Sequence, residues 1–408
     1  MVATGLRGRG GVALWVRVVV CMVVGCVALA VCLASAGMAA ASAWSIQRTP
    51  NPAGARYSVL SGVSCASRTA CTAVGYFANG AGVGMPLAER WNGTSWSIQR
   101  TPAPAGARSS LLFGVSCASR RACVAVGSVT NRSGITVPLA ERWNGSSWSI
   151  QRTPTPTRAN GRGVSYLGGV SCASRKACTA VGFSGNSAGT TGVTLAERWN
   201  GSSWAIQRTP HPTGARVSFL SGVSCASPRF CIAAGFFVNS AGGGVTLAER
   251  WNGTRWAIQP TPTREAATYV QLVGVSCASP TWCTAAGFFS IVTGIEVMLA
   301  ERWNAADWAI QRTLYPDHAR FVRFAGVSCA SPTSCTAVGF FNNVPGIDVT
   351  LAERWNGTRW AIQRSPNPAG ATSNSLGAVS CPATTRCTAV GGFTNRAGTG
   401  VTLAERYS

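Results

Sequence analysis

Charge of one sign is nearly missing from this chain. Its 408 residues include 12 acidic side chains against 35 basic ones, a single lysine, and two histidines, His211 and His318. So short an acidic list restricts both acid–base and metal chemistry. Glycoside hydrolysis generally needs two carboxylates around one bond, and tetrahedral zinc wants about four nitrogen or sulfur ligands. Also missing are a G-x-S-x-G nucleophile turn, a phosphate loop, a dinucleotide fingerprint and a calcium loop. No segment carries a 3.6-residue apolar period long enough for a helix, which excludes helical architectures. What remains is apolar and turn-rich: 46% hydrophobic residues, 47 Gly and only 12% charged residues. That composition reads as all-β and not as disorder.

The first 43 residues stand apart. Arg7, Arg9 and Arg17 precede an uncharged apolar run from Val18 to Leu33, and small residues follow up to Ala41-Ser42-Ala43. This is the pattern of a secretory signal peptide with cleavage after Ala43, or after Ala36 at the similar Ala34-Ser35-Ala36. Residues 1–43 are therefore expected to be a signal peptide and 44–408 the mature domain, secreted or associated with the cell envelope. A membrane association is expected only if the segment stays uncleaved.

Residues 44–408 write one sentence seven times: a GVSC-type strand, a second Cys six residues on, an AVG-type strand, then LAERWNG-x-x-W and IQRTP. The first Cys of each copy falls at Cys65, Cys117, Cys172, Cys225, Cys277, Cys329 and Cys381, at spacings of 52, 55, 53, 52, 52 and 52. A fixed period of this size marks a supersecondary unit whose apolar faces need neighbours. In the second copy Ser110–Ser116, Ala122–Gly127, Val137–Trp143 and Trp148–Arg152 read as four short strands. Four strands per copy predict an all-β, seven-bladed β-propeller with four-stranded antiparallel blades. The chain ends in Leu403–Tyr407, a third strand, and opens at Trp44–Arg48, a fourth strand. The N-terminal strand is thus expected to complete the last blade and close the ring. An open β-solenoid is the alternative, but its end repeats should look like caps.

Asn-Gly pairs between the third and fourth strands, as at Asn144-Gly145, predict type I′ hairpin turns. The fifth copy reads Asn304-Ala305-Ala306-Asp307 instead, which predicts a looser or different turn. Fourteen cysteines form seven pairs of equal spacing: Cys65/Cys71, Cys117/Cys123, Cys172/Cys178, Cys225/Cys231, Cys277/Cys283, Cys329/Cys335 and Cys381/Cys387. In an exported chain such a set reads as disulfides, each stapling one hairpin across its own turn. Two cysteines per copy and two histidines in all are too few for zinc, so neither a metal nor a cofactor is expected.

At the level of the repeat, essentially all of residues 44–408 resembles the secreted bacterial β-propeller repeat proteins. More distantly it resembles propellers of the sialidase Asp-box type and of the photosystem II assembly factor type. The motif itself is not kept. An Asp-box hairpin reads Ser-x-Asp-x-Gly-x-Thr-Trp, and in Glu89–Trp96 only Gly93 and Trp96 hold their places, with Glu89 and Trp91 at the Ser and Asp positions. The resemblance therefore implies a fold and no sialidase chemistry.

Seven of the twelve carboxylates are the repeat Glu (Glu89, Glu141, Glu197, Glu249, Glu301, Glu353, Glu405), which read as structural, pairing with the neighbouring Arg or capping backbone donors. Of the other five, Glu296 and Asp348 hold equivalent loop positions in adjacent copies. No catalytic residue is assigned. Residues 44–408 hold 32 basic and 12 acidic side chains, a net charge of +20. Such a field attracts polyanions, and the variable loops, where binding usually lives, carry Arg56, Arg108, Arg158, Arg162, Arg216, Arg264, Arg320 and Arg323. The expectation is an exported, non-enzymatic, monomeric propeller. Those arginines would recognise an anionic cell-wall polymer, polysaccharide or protein. Nucleic acid is not expected, since no binding motif for it is present. The alternatives are a secreted glycan-active hydrolase or lyase, which needs repeat-breaking polar residues converging near the axis, and a purely structural envelope scaffold.

Overall fold

A computed structural model describes residues 43–156, 163–262, 267–292, 294–343 and 346–408. The predicted signal segment lies outside them, apart from Ala43. The described residues form 28 strands and no helix. Each repeat is a four-stranded antiparallel unit; in the second, the strands are Ser109–Ser119, Ala122–Thr130, Thr136–Trp143 and Trp148–Gln151. Strand Trp44–Gln47 pairs antiparallel with Gly400–Tyr407, Trp44 opposite Tyr407 and Gln47 opposite Ala404. Ala43 and Ser408 extend that ladder with reciprocal backbone bonds of 3.1 and 3.3 Å.

Neighbouring units touch through single parallel pairs, such as Thr136 with Val164 and Gly400 with Tyr57. These junctions merge the units into two 12-stranded sheets and one of four strands. A second link recurs deeper in the structure. The Cys117 N–H donates to Ser64 Oγ of the preceding repeat at 2.9 Å, and the same bond joins every later pair. The Cys65 N–H in turn donates to Ser380 Oγ of the seventh repeat at 3.0 Å. The first strands of all seven repeats, at Gly62, Gly114, Gly169, Gly222, Gly274, Gly326 and Ala378, line one narrow cavity of about 160 Å³.

The core sits between repeats, because each sheet buries its apolar face on its neighbour. One cluster joins Val74 and Ala88 of the first repeat to Leu112, Leu139, Trp143 and Trp148 of the second. Another joins Val390 and Ala404 of the seventh to Leu60, Leu87, Trp91 and Trp96 of the first. The two Trp of WNG-x-x-W pack 5.8 Å apart and are buried, so they serve packing and offer no exposed ladder to sugars. The Gly of each AVG strand has a steric cause: a Cβ on Gly127 would lie 1.9 Å from the Leu111 carbonyl oxygen.

All seven expected disulfides are present: Cys65–Cys71, Cys117–Cys123, Cys172–Cys178, Cys225–Cys231, Cys277–Cys283, Cys329–Cys335 and Cys381–Cys387. In the first six repeats the bonded residues stand directly opposite each other on the first hairpin. In the seventh the ladder shifts register there, between Ser380/Thr388 and Ala383/Arg386. Closing so short a loop is worth about 2 kcal/mol in the chain-entropy account.

Each staple clamps its own hairpin, and its second cysteine also packs on the neighbouring repeat. Cys71, Cys123, Cys178, Cys231, Cys283, Cys335 and Cys387 are all at most 3% exposed, and each belongs to an apolar cluster shared by two repeats. Five of these sulfurs also meet the threonine of the preceding repeat's second strand; before Cys178 and Cys283 the equivalent residues are Val124 and Ile232. Cys71 Sγ lies 3.7 Å from Thr388 Oγ1, Cys123 Sγ 3.6 Å from Thr72, Cys231 Sγ 3.7 Å from Thr179, Cys335 Sγ 3.6 Å from Thr284, and Cys387 Sγ 3.5 Å from Thr336. The cause is strand alternation: the second cysteine sits on the face that packs against the neighbouring sheet.

The Asn-Gly turns also depart from expectation. Only the glycine takes a positive φ, 110° at Gly145, whereas a type I′ turn needs two such residues. Asn144 instead uses Oδ1 to accept from the Ser146 and Ser147 N–H groups, both at 2.9 Å. The fifth repeat keeps the same turn, with Asn304 capping Ala306 and Asp307 and with Ala305 forced to a φ of 82°.

Candidate functional site

Aligning the repeats by strand register exposes one layer that breaks the copying. Near the variable-loop end, the first strands place Val59, Leu111, Tyr166, Phe219, Gln271, Arg323 and Ser375 opposite Tyr76, Ser128, Phe183, Phe236, Phe288, Phe340 and Gly392 of the second strands. From the third repeat to the fifth this layer is aromatic. Tyr166, Phe183, Phe219, Phe236, Tyr269 and Phe288 follow one another with centroid separations of 5.8, 4.3, 4.8, 5.4 and 6.1 Å. At the fifth and sixth repeats it turns polar.

There the Arg323 guanidinium lies 4.4 Å from the centre of the Phe288 ring. It donates from Nε and Nη2 to the two carboxylate oxygens of Glu296. This is the one ion pair found among the described residues. Glu296 opens the third strand of the fifth repeat, Glu296–Trp303, and bridges in parallel to Phe321 beside Arg323. The Tyr269 hydroxyl donates to Gln271 Oε1 at 3.0 Å, and Gln271 Nε2 donates to Ser221 Oγ at 3.4 Å. Burial raises the Tyr269 pKa; Arg323 acts against that rise and Glu296 adds to it, so all three side chains share one neighbourhood. One repeat further on, Asp348 holds the place of Glu296 but meets only neutral donors: Asn342 Nδ2 at 3.1 Å and Ser373 Oγ at 3.2 Å on its carboxylate.

Of the five predicted binding arginines among the described residues, Arg323 alone joins this cluster with its side chain, and it belongs to the strand Val322–Ser331, not to a loop. Arg56, Arg108 and Arg216 lie in the turn before the first strand, where their backbone N–H groups donate to Ala78, Thr130 and Val238. Arg320 lies in the corresponding turn of the sixth repeat, its carbonyl accepting from the Glu296 N–H. Arg158, Arg162 and Arg264 lie outside the described residues. The fourteen cysteines take no part in the layer, since all are consumed in disulfides at the other end of the first hairpins. The sequence reading missed Tyr269 and Gln271. Register alignment of the first strands is the signal that reveals them.

The repeat Glu are not paired with the neighbouring Arg. Successive strand residues face opposite sides, so Glu89 turns into the sheet-to-sheet interface while Arg90 stacks 4.6 Å over Trp143 of the next repeat. All seven of these Glu have 0% exposure. Burial pushes Glu89, Glu141 and Glu197 up to about 8, and their carboxyl oxygens have no hydrogen-bond partner within the protein. Glu405 rises to about 7 by burial, opposed by a 2.7 Å bond from the Ser365 hydroxyl.

No protein-family model and no curated protein matches the chain in sequence. Among solved structures it is similar to a GH74 xyloglucanase from Xanthomonas campestris, at 12% identity and a TM-score of 0.50, over 88% of this chain and 55% of that one. A protein of unknown function from Dyadobacter fermentans is similar at 10% identity and TM-score 0.49, over 90% of this chain and 98% of that one. Trypanosoma rangeli sialidase in complex with the inhibitor DANA is similar at 10% identity and TM-score 0.44, over 77% and 56%. The chain spans about half the length of the xyloglucanase. At such identities the likeness establishes the fold, a β-propeller of repeated four-stranded units. The solved structure behind that assignment is a glycoside hydrolase, which overturns the expectation of a non-enzymatic binding or scaffold propeller. The physical reason lies in the layer described above. Repeat-breaking polar residues do converge, and they do so on an aromatic band, while Arg56, Arg108 and Arg216 lie in turns of other repeats.

Proposed function

We propose that the chain is a secreted glycan-active hydrolase or lyase whose site is the polar and aromatic layer at the loop-side mouth of the fifth and sixth repeats. The convergence of Arg323, Glu296, Tyr269 and Gln271 at the end of an aromatic band carries this reading. Sugar rings present C–H faces that stack on aromatic side chains and hydroxyls that pair with fixed donors; the half-buried Tyr166, Phe219, Phe236 and Tyr269 offer the first, and Gln271 and Arg323 the second. Glu296 and Asp348 are the carboxylate pair that the register offers. Asp348, which accepts from Asn342 and Ser373, and Glu296, held by the Arg323 guanidinium, are the two carboxylates that would flank the scissile bond. The fold shared with a xyloglucanase supports a glycan as substrate.

The same proposal takes the fold as a closed ring of seven blades. Supporting it are the Cys-to-Ser hydrogen bonds that return from the seventh repeat to the first and the pairing of Trp44–Gln47 with Gly400–Tyr407. Export fits the seven disulfides, which persist in oxidising compartments; residues 1–43 as signal peptide and 44–408 as the propeller belong to this reading.

The test is turnover of a panel of neutral and acidic polysaccharides, read as reducing-end or unsaturated-product release, by wild type and by the Glu296→Gln/Asp348→Asn double variant. Wild type should release product, and the double variant should lose at least about 100-fold, the scale of general acid–base assistance. A wild type inert across the panel refutes the proposal.

A further inference from the structure

The face opposite the variable loops has a charge pattern of its own. Within the Cys-x5-Cys turns, the first three repeats carry Arg68-Thr69, Arg120-Arg121 and Arg175-Lys176. The later ones carry Pro228-Arg229, Pro280-Thr281, Pro332-Thr333 and Thr384-Thr385. Identical hairpins therefore tolerate either neutral or doubly cationic turns, and the cations gather in one sector. There Arg90, Arg120, Arg121 and Arg175 line a cavity of about 590 Å³ together with Ser119 and Gly145, with no carboxylate in its wall.

Two of these arginines are held in place. Arg90 stacks over Trp143 and donates Nη2 to the Arg120 carbonyl at 2.9 Å, while its Nη1 is buried without a protein acceptor. The Arg121 stem lies along Gly145, where a Cβ would come within 3.2 Å of it. Burial and the proximity of Arg120 push the Arg90 pKa down, as expected where like charges are crowded without a counter-charge. A guanidinium fork suits tetrahedral oxyanions, and a preorganised donor left without an acceptor has most to gain from one.

We propose that this cavity binds an oxyanion, a phosphate or sulfate group, between Arg90, Arg120, Arg121 and Arg175. The site is independent of the loop-side layer. Its ligand is either a free inorganic anion or an ester group on a polymer, since both present the same oxygens.

Isothermal titration at constant ionic strength, with chloride as reference, tests it using inorganic phosphate, inorganic sulfate and dextran sulfate. The Arg120→Pro/Arg121→Thr variant adopts the turn of the fifth and sixth repeats, so its hairpin has a sequence this chain already folds. Wild type should bind phosphate and sulfate, and the variant should bind them about tenfold or more weakly, the scale of one charge-assisted hydrogen bond. Arg175→Pro, which sets the proline of the fourth repeat (Pro228) before a basic residue as there, should weaken binding too and supplies the reading if the double variant does not fold. Dextran sulfate bound more tightly than inorganic sulfate identifies a polymer ester as the source, and equal affinity identifies the free ion; both sustain the site. Binding indistinguishable from chloride, or unchanged in both variants, overturns it.

Discussion

Replacing Glu141 by Gln tests the most unusual energetic feature of the fold, a carboxyl buried between sheets without a charge partner. Burial holds Glu141 at about 8, against an ordinary value of 4.5. A raised acid is protonated in the folded chain over a range where the unfolded chain has lost its proton. Folding stability is therefore fully present below about pH 4.5 and is lost as pH rises through 8. At 1.36 kcal/mol per pH unit, and with the unfolded group already partly ionised at pH 5, one such carboxyl removes at most about 2.5 kcal/mol between pH 5 and pH 7. Gln has nearly the same shape and cannot ionise. Urea unfolding of the oxidised protein at pH 5, 6 and 7 should show wild type and Glu141→Gln nearly equal at pH 5. The variant should then gain by up to that amount at pH 7. Staying at or below pH 7 keeps thiol–disulfide exchange slow. Parallel stability curves for the two proteins would refute the reasoning, because they would mean that Glu141 carries no proton the unfolded chain lacks.

Two further perturbations follow from the same geometry. Ala305→Gly relieves a left-handed alanine in the fifth-repeat turn and should raise stability by about 1 kcal/mol in urea unfolding; a destabilised variant contradicts the strain. Trp44→Ala removes the ring that packs 5.5 Å from Tyr407 across the joined chain ends and should cost about 3–5 kcal/mol, the range for a buried aromatic; a cost below about 1 kcal/mol, as for a frayed terminus, contradicts that packing.

Much of the fold was legible in the sequence because its causes are local. Equal Cys spacing sets the hairpin clamps, and a third strand at Leu403–Tyr407 wants the fourth strand found at Trp44–Gln47. Spacing alone could not show that the second cysteine of each clamp, Cys71 for example, also packs on the neighbouring repeat, because that contact depends on which face of the strand meets the next sheet. The Asn-Gly turn was misread because the asparagine satisfies backbone donors with its side chain rather than by adopting a positive φ. The pairing expected between Glu89 and Arg90 failed for a reason the sequence already holds: neighbours on a strand face opposite ways. The site was the least legible part. Gln271 and Arg323 stand out only against Val59, Leu111, Tyr166, Phe219 and Ser375, that is, once register has stacked the repeats into layers. Counting charges by loop put Arg323 among the loop arginines, whereas its strand position puts it over Phe288. The fixed Cys-x5-Cys spacing hides the exchange of Pro280-Thr281 for Arg120-Arg121 inside the turn, because the hairpin closes equally with either pair.

The central claim is that the loop-side layer acts on a glycan, and it is tested most directly by the rate of product release from the best polysaccharide substrate. Wild type, Arg323→Ala and Arg255→Ser are compared, the last placing at an exposed turn the serine found there in the first three repeats (Ser95, Ser147, Ser203). Arg323→Ala should lower kcat/KM by about 100-fold or more, the scale of losing a preorganised charged donor, with Arg255→Ser unchanged. Equal rates for Arg323→Ala and wild type would place the chemistry elsewhere on the molecule.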